Sequence, residues 1–172
     1  LFKRPMTISS YCSGLGSELI ACKVLGIRIS KDIVVSESKT AAQNFLYQNI
    51  PEAKHIVGSL RDHAERQAYC HRHSRVCDIW RPGYDDLLVG GSPCQPFTAL
   101  RRDSEDCSGC RKHPLFNTTF GSGGTSVISD PRDSLVNLAR ARRPGAILLE
   151  QVLGFGRVDT ASDERPVTNL LN

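Results

Sequence analysis

The chain lacks a long hydrophobic run. None of its apolar stretches approaches the roughly 18–20 residues that a membrane-crossing helix needs, which excludes that class. It also lacks a large charge surplus: 22 basic and 18 acidic residues leave +4, which permits an anionic partner without predicting one. There are no internal repeats and no signal peptide. The seven cysteines, Cys12, Cys22, Cys70, Cys77, Cys94, Cys107 and Cys110, are odd in number and scattered in spacing. That argues for a reducing, intracellular setting over a secreted disulfide framework. The chain begins at Leu1, so it reads as an excerpt of a longer protein. What is present is globular material: 172 residues, 40% hydrophobic and 23% charged, exclude a disordered or collagen-like chain and amount to one domain.

Strand and helix patterns alternate. Thr7-Ile8-Ser9-Ser10-Tyr11 reads as a short strand, broken by Ser13-Gly14-Leu15-Gly16-Ser17. Residues 18–25 have helical spacing, with Leu19, Cys22 and Leu25 sharing a face and Gly26 as a stop. Ile33-Val34-Val35 is a second strand, ending at Ser36-Glu37-Ser38. Residues 39–48 follow as a helix that turns Ala42, Phe45 and Leu46 inward, closed by Pro51. His55-Ile56-Val57 is a third strand, and Asp86-Leu87-Leu88-Val89-Gly90 a fourth, apolar on both faces as a buried parallel strand should be. A helix over 134–142 ends before Pro144, and Ala146-Ile147-Leu148-Leu149-Glu150 is the fifth strand. This order predicts an α/β fold, an open and mostly parallel sheet with helices on both faces. Two stretches fall outside it. Residues 61–81 are polar and hold three of the five histidines, and residues 98–129 are charged and Gly/Ser-rich around Gly121-Ser122-Gly123-Gly124. Both read as loops or insertions, and a loop of about 30 residues is usually functional or disordered.

Ligands of such sheets bind at the carboxyl ends of the strands, and the unusual residues of this chain fall there. Gly14 and Gly16 follow the first strand, where absent side chains let backbone approach a ligand, although a plain tight turn needs them equally. Glu37 ends the second strand, where nucleotide-binding sheets place a carboxylate for ribose hydroxyls; the plainer alternative is a solvated helix-capping acid. Gly90-Gly91-Ser92-Pro93-Cys94-Gln95-Pro96-Phe97 sets a cysteine between prolines at the end of the fourth strand, as a nucleophile requires. Glu150 closes the neighbouring strand, expected to be buried, and suits a positioned acid or base, with a turn cap or an arginine partner as alternatives.

Together these blocks resemble the first half of a DNA (cytosine-5) methyltransferase catalytic domain, from about Thr7 to Phe155. Ser13-Gly14-Leu15-Gly16 resembles the cofactor glycine turn, within residues 10–18. Glu37, with Ala41, Phe45, Asn49 and Pro51 behind it, resembles the ribose-holding segment. The nucleophile block, residues 86–98, is nearly the family's signature as it stands. Asp130-Pro131-Arg132-Asp133-Ser134-Leu135 resembles the next block, and Leu149-Glu150-Gln151-Val152 the Glu-Asn-Val block. The resemblance implies a partial, Rossmann-like fold that takes S-adenosylmethionine, and DNA as substrate. It implies that Tyr11, Cys12, Ser13, Gly14, Gly16, Glu37, Ser38, Ser59, Leu60 and Pro93 contact the cofactor. Gln95, Arg101, Arg102 and Arg132 would then meet DNA, with surface arginines the equal alternative for Arg101 and Arg102. Cys94 would attack carbon 6 of a flipped cytosine while Glu150 holds ring nitrogen 3, and residues 98–129 would form the mobile lid. In a eukaryote the setting would be the nucleus.

The chain departs from the family at several positions. Cys12 stands where the family usually has Phe, and Gly58-Ser59-Leu60 replaces Gly-Asp-Ile, with Asp62 as a substitute acceptor. Gln151 replaces Asn beside Glu150, and the family's later arginine, target-recognition and cofactor-closing blocks do not occur. Three other readings follow: a catalytically silent relative acting as a binding module, methylation of transfer RNA, and a zinc-supported nucleic-acid-binding module, which would need bound metal. Cys107, Cys110 and His113, and earlier Cys70, His71, His73 and Cys77, offer zinc ligand types. Their spacing is not that of a standard finger and each half supplies part of a site. Incidental thiols in polar insertions are therefore the preferred reading, and no metal is expected.

Overall fold

The computed structural model describes residues 3–79, 85–91 and 135–150. Their elements run β1 (Ile8–Tyr11), α1 (Ser17–Val24), β2 (Val34–Ser36), α2 (Thr40–Asn49), β3 (His55–Val57), α3 (Leu60–Ala64), β4 (Gln67–Cys70), β5 (Arg75–Asp78), β6 (Leu87–Gly91), α4 (Leu135–Arg142) and β7 (Ala146–Glu150). Five strands form one sheet in the order β3-β2-β1-β6-β7, and every pairing in it is parallel. From β1 the chain builds outward to β3 on one side, then returns to build β6 and β7 on the other. The order therefore reverses between β1 and β6, the position at which open parallel sheets place a ligand crevice, at the carboxyl ends of the strands.

Alternation along the strands divides the core by face. Ile8, Val35, Ile56 and Val89 pack with Leu19 and Cys22 of α1 and Leu46 of α2. On the other face Tyr11 and Leu88 pack with Leu60 of α3 and Leu135 and Leu138 of α4. Each such fully buried aliphatic side chain contributes about 1.5–3 kcal/mol relative to exposure. Leu25 was expected on the buried face of α1 but is exposed, because the helix ends at Val24 and Gly26 turns the chain with φ +67°. In α2, Gln43 rather than Ala42 or Phe45 joins Leu46 in the interior; its amide donates to the Glu37 carbonyl at 2.5 Å.

The polar stretch 61–81, expected as a loop or insertion, instead forms α3 and an antiparallel β4-β5 hairpin. Its inward residues Ala68, Cys70, Cys77 and Ile79 pack on Val34 and Val57. Small residues and cysteines carry this alternation, so a pattern built on large aliphatics passes over it. β7 was expected to be a buried strand. Among the described residues it is the outer strand on its side of the sheet, with Ile147 and Leu148 about half exposed.

One buried ion pair ties the layers together. Arg142, the last residue of α4, donates from Nε and Nη2 to the Asp85 carboxylate at 2.7 and 3.2 Å. Its Nη1 donates to the Ile79 carbonyl at 2.9 Å, and Nη2 also reaches Ser9 Oγ at 3.0 Å. One guanidinium thus fastens α4 to β1, to the start of β6 and to the end of the hairpin.

Candidate active site at the carboxyl edge of the sheet

β1 ends in a tight turn in which Cys12, Gly14 and Gly16 all take positive φ. Gly16, at +70°, also packs so closely that a β-carbon there would meet Leu46 Cδ2 at 2.9 Å, so this position needs glycine on both counts. A β-carbon at Gly14 would meet none of the described residues within 4 Å, so they leave the space beside this glycine open. The turn is tied to β2. Ser13 N–H donates to the Ser36 carbonyl at 3.1 Å, and Ser13 Oγ lies 2.8 Å from Ser10 Oγ. Gly14 N–H donates to Glu37 Oε2 at 2.8 Å, and Lys39 N–H donates to Glu37 Oε1 at 2.8 Å. The carboxylate of Glu37 is thus fixed at the end of β2, and each oxygen keeps a second lone pair. Ser38 follows it, exposed.

At the end of β3, Ser59 caps α3 by accepting the Asp62 N–H at 3.0 Å. A β-carbon at Gly58 would lie 3.5 Å from His71 Nε2 and 3.6 Å from Asp62 Oδ2, so both groups stand at this edge. Tyr11 and Leu60 are core side chains. What these two offer a ligand at this edge is main chain, which narrows their expected role. Half-buried Cys12 begins the turn with φ 47°, a conformation that non-glycine residues rarely adopt.

Across the crevice, Gly91 and Glu150 are partners in the β6-β7 register. A β-carbon at Gly91 would lie 2.5 Å from Glu150 Oε2, so the bare glycine is what allows the carboxylate to lie over β6. At Gly90 a β-carbon would collide with the Tyr11 carbonyl of β1. The two glycines therefore serve close strand packing and the placement of Glu150. Cys94, Pro93, Gln95, Arg101, Arg102 and Arg132 lie outside the described residues, as do the whole expected lid and Gln151.

Two groups of this edge carry no signal that the sequence reading used. Glu18, in the first turn of α1, accepts a hydrogen bond from Ser10 Oγ, and burial pushes its carboxyl above the usual range. His63 is wholly buried, its Nδ1 3.1 Å from Ser36 Oγ; burial, then the nearby Arg142 charge, hold it well below the ordinary 6.5. A buried carboxyl group and a buried imidazole packed beside the strand ends are groups whose proton affinity the fold has shifted, upward for the first and downward for the second.

Neither a scan against models of protein families nor a search of curated proteins finds a match for this chain.

Proposed function

We propose that the chain is the cofactor-side part of a methyltransferase that uses S-adenosylmethionine and acts on carbon 5 of cytosine in DNA, through a covalent bond to Cys94. The observation that carries this reading is the convergence at one sheet edge. The glycine turn, the Glu37 carboxylate and the Glu150 carboxylate, chosen from sequence alone, come together around the β1-β6 switch point. Glu150 lies over Gly91, and Cys94 follows three positions later in sequence.

The residues of the edge fit the cofactor. Open space lies over Gly14, and the fixed Glu37 oxygens have lone pairs to accept two ribose hydroxyls. When bound, S-adenosylmethionine supplies an electrophilic methyl group. Glu150 gives a proton to ring nitrogen 3 of the flipped base, draws electron density from carbon 6, and takes that proton back when the thiolate leaves. The Cys94 thiolate adds at carbon 6, and carbon 5 becomes enamine-like and nucleophilic. After alkylation a base removes the carbon 5 proton, and the thiolate leaves with the electrons of its carbon–sulfur bond.

Covalent trapping tests this reading. Duplex DNA containing 5-fluorocytosine, incubated with protein and S-adenosylmethionine, is expected to give a denaturation-resistant adduct, because fluorine at carbon 5 cannot leave as a proton does. Cys94→Ala should abolish the adduct and leave cofactor binding nearly unchanged, whereas Glu37→Ala should weaken cofactor binding first. An adduct that persists in Cys94→Ala would overturn the mechanism. An adduct formed only with 5-fluorocytosine RNA would move the substrate to RNA.

A further inference from the structure

The β4-β5 hairpin brings together four side chains that the proposed methyl transfer does not use. His55 is the first residue of β3, Cys70 the last of β4, His73 sits in the turn and Cys77 lies in β5. One ligand atom from each lies within 4.8 Å of the other three. Cys70 pairs with Arg75 and Cys77 with Ala68, so the two thiols are diagonal neighbours on the inward face of the ladder. Ser74, at φ 52°, folds the turn back, and Arg72 Nη2 pins it to the Leu46, Tyr47 and Ile50 carbonyls at the end of α2. His73 is thereby held over both thiols.

We propose that His55, Cys70, His73 and Cys77 bind one zinc ion, in a closed site that fastens the hairpin to the amino end of β3. The two distances from His73 are those of a tetrahedron's edges. Cys70 Sγ and Cys77 Sγ lie 3.4 and 3.5 Å from His73 Nδ1. Zinc–sulfur bonds of about 2.3 Å and zinc–nitrogen bonds of about 2.0–2.1 Å at tetrahedral angles set sulfur and nitrogen about 3.6 Å apart.

Hydrogen bonding does not complete the cluster. A ring nitrogen has one lone pair or one hydrogen, so a single Nδ1 cannot form a full bond with each thiol. The Nδ1 of His55, a residue only 7% exposed, has no hydrogen-bond partner among the described residues although it is buried. A buried polar group without a partner is costly, and a coordinated cation gives the cluster the electron-pair acceptor that it lacks. The cysteines are free thiols. Two sulfurs and two imidazoles are a donor set that selects zinc over calcium or magnesium. Four protein ligands leave no open position, which marks a structural rather than a catalytic metal. The site lies at the opposite end of β3 from Gly58, and the proposal is independent of the methyl-transfer reading.

The test is metal content of the full chain, purified with zinc under reducing conditions and exhaustively dialysed. Cys70→Ser, Cys77→Ser, His55→Asn and His73→Asn are each expected to lose one zinc equivalent per chain relative to the parent, and Cys12→Ser none. Because His73 is exposed in its turn, His73→Asn is the variant that reports on the metal without disturbing the core. Cobalt(II) substitution of the parent should give the intense visible bands of a tetrahedral ion and thiolate charge transfer in the near ultraviolet, both lost in Cys77→Ser. Unchanged zinc content in folded His73→Asn would overturn the proposal. An octahedral cobalt spectrum, or a Cys70–Cys77 disulfide in the reduced preparation, would do so too.

Discussion

Two buried polar groups on the same face of the sheet differ in whether they are complete. Around Arg142, the guanidinium meets both Asp85 oxygens, the Ile79 carbonyl and Ser9 Oγ, and the pair is 2% and 1% exposed. Around His73, two thiols converge on one nitrogen and His55 Nδ1 is without a hydrogen-bond partner among the described residues. The first group closes on itself, so it reads as architecture. The second is short of one electron-pair acceptor, so it points to a ligand. Burial alone does not mark a functional cluster; an unbalanced count of donors and acceptors does.

Three measurements sharpen the contrast. The largest effect is expected at the complete group. Arg142→Met leaves Asp85 charged and buried without its partner, which should cost about 3–5 kcal/mol in chemical denaturation. A loss well under 1 kcal/mol would show that the pair is not the closed unit described. His63 lies between the two extremes, since Nδ1 meets Ser36 Oγ while Nε2 has no hydrogen-bond partner among the described residues. Its folded pKa is depressed, so its contribution is fully present above the unfolded value of 6.5 and is lost as pH falls from there toward the folded value. Stability measured between pH 7 and pH 5 should decline below 6.5, by up to about 1.4 kcal/mol per pH unit from this one proton, and His63→Leu should remove that share of the slope. An identical pH slope in the variant would place the uptake elsewhere. The smallest effect is expected at Ser59, whose hydroxyl satisfies one helix N–H. Ser59→Ala should cost about 1 kcal/mol in the same denaturation assay.

Much of the fold was legible in the sequence. The sheet strands β1, β2, β3, β6 and β7 and the helices α1, α2 and α4 occur within a residue or two of the expected positions, because their apolar runs and spacings are local signals and glycine or proline stops bound several of them. The hairpin was not legible: its buried positions are Ala68, Cys70, Cys77 and Ile79, two of them read as incidental thiols. Glu37 and Glu150 were legible because they end strands, where a parallel sheet places its ligands. Glu18 and His63 were not, since nothing local marks a polar side chain that tertiary packing will bury.

The sequence by itself determined the alternation of strand and helix, and with it a parallel sheet whose carboxyl edge gathers the glycine turn and the two acids. Local periodicity and turn chemistry suffice for that, because they act between residues a few positions apart. Only the tertiary structure decided that Arg142 would close on Asp85, that Gly91 would make room for Glu150, and that His55 would meet thiols of the hairpin. Each of those meetings joins residues far apart in the chain, and strand register and helix packing bring them to one place.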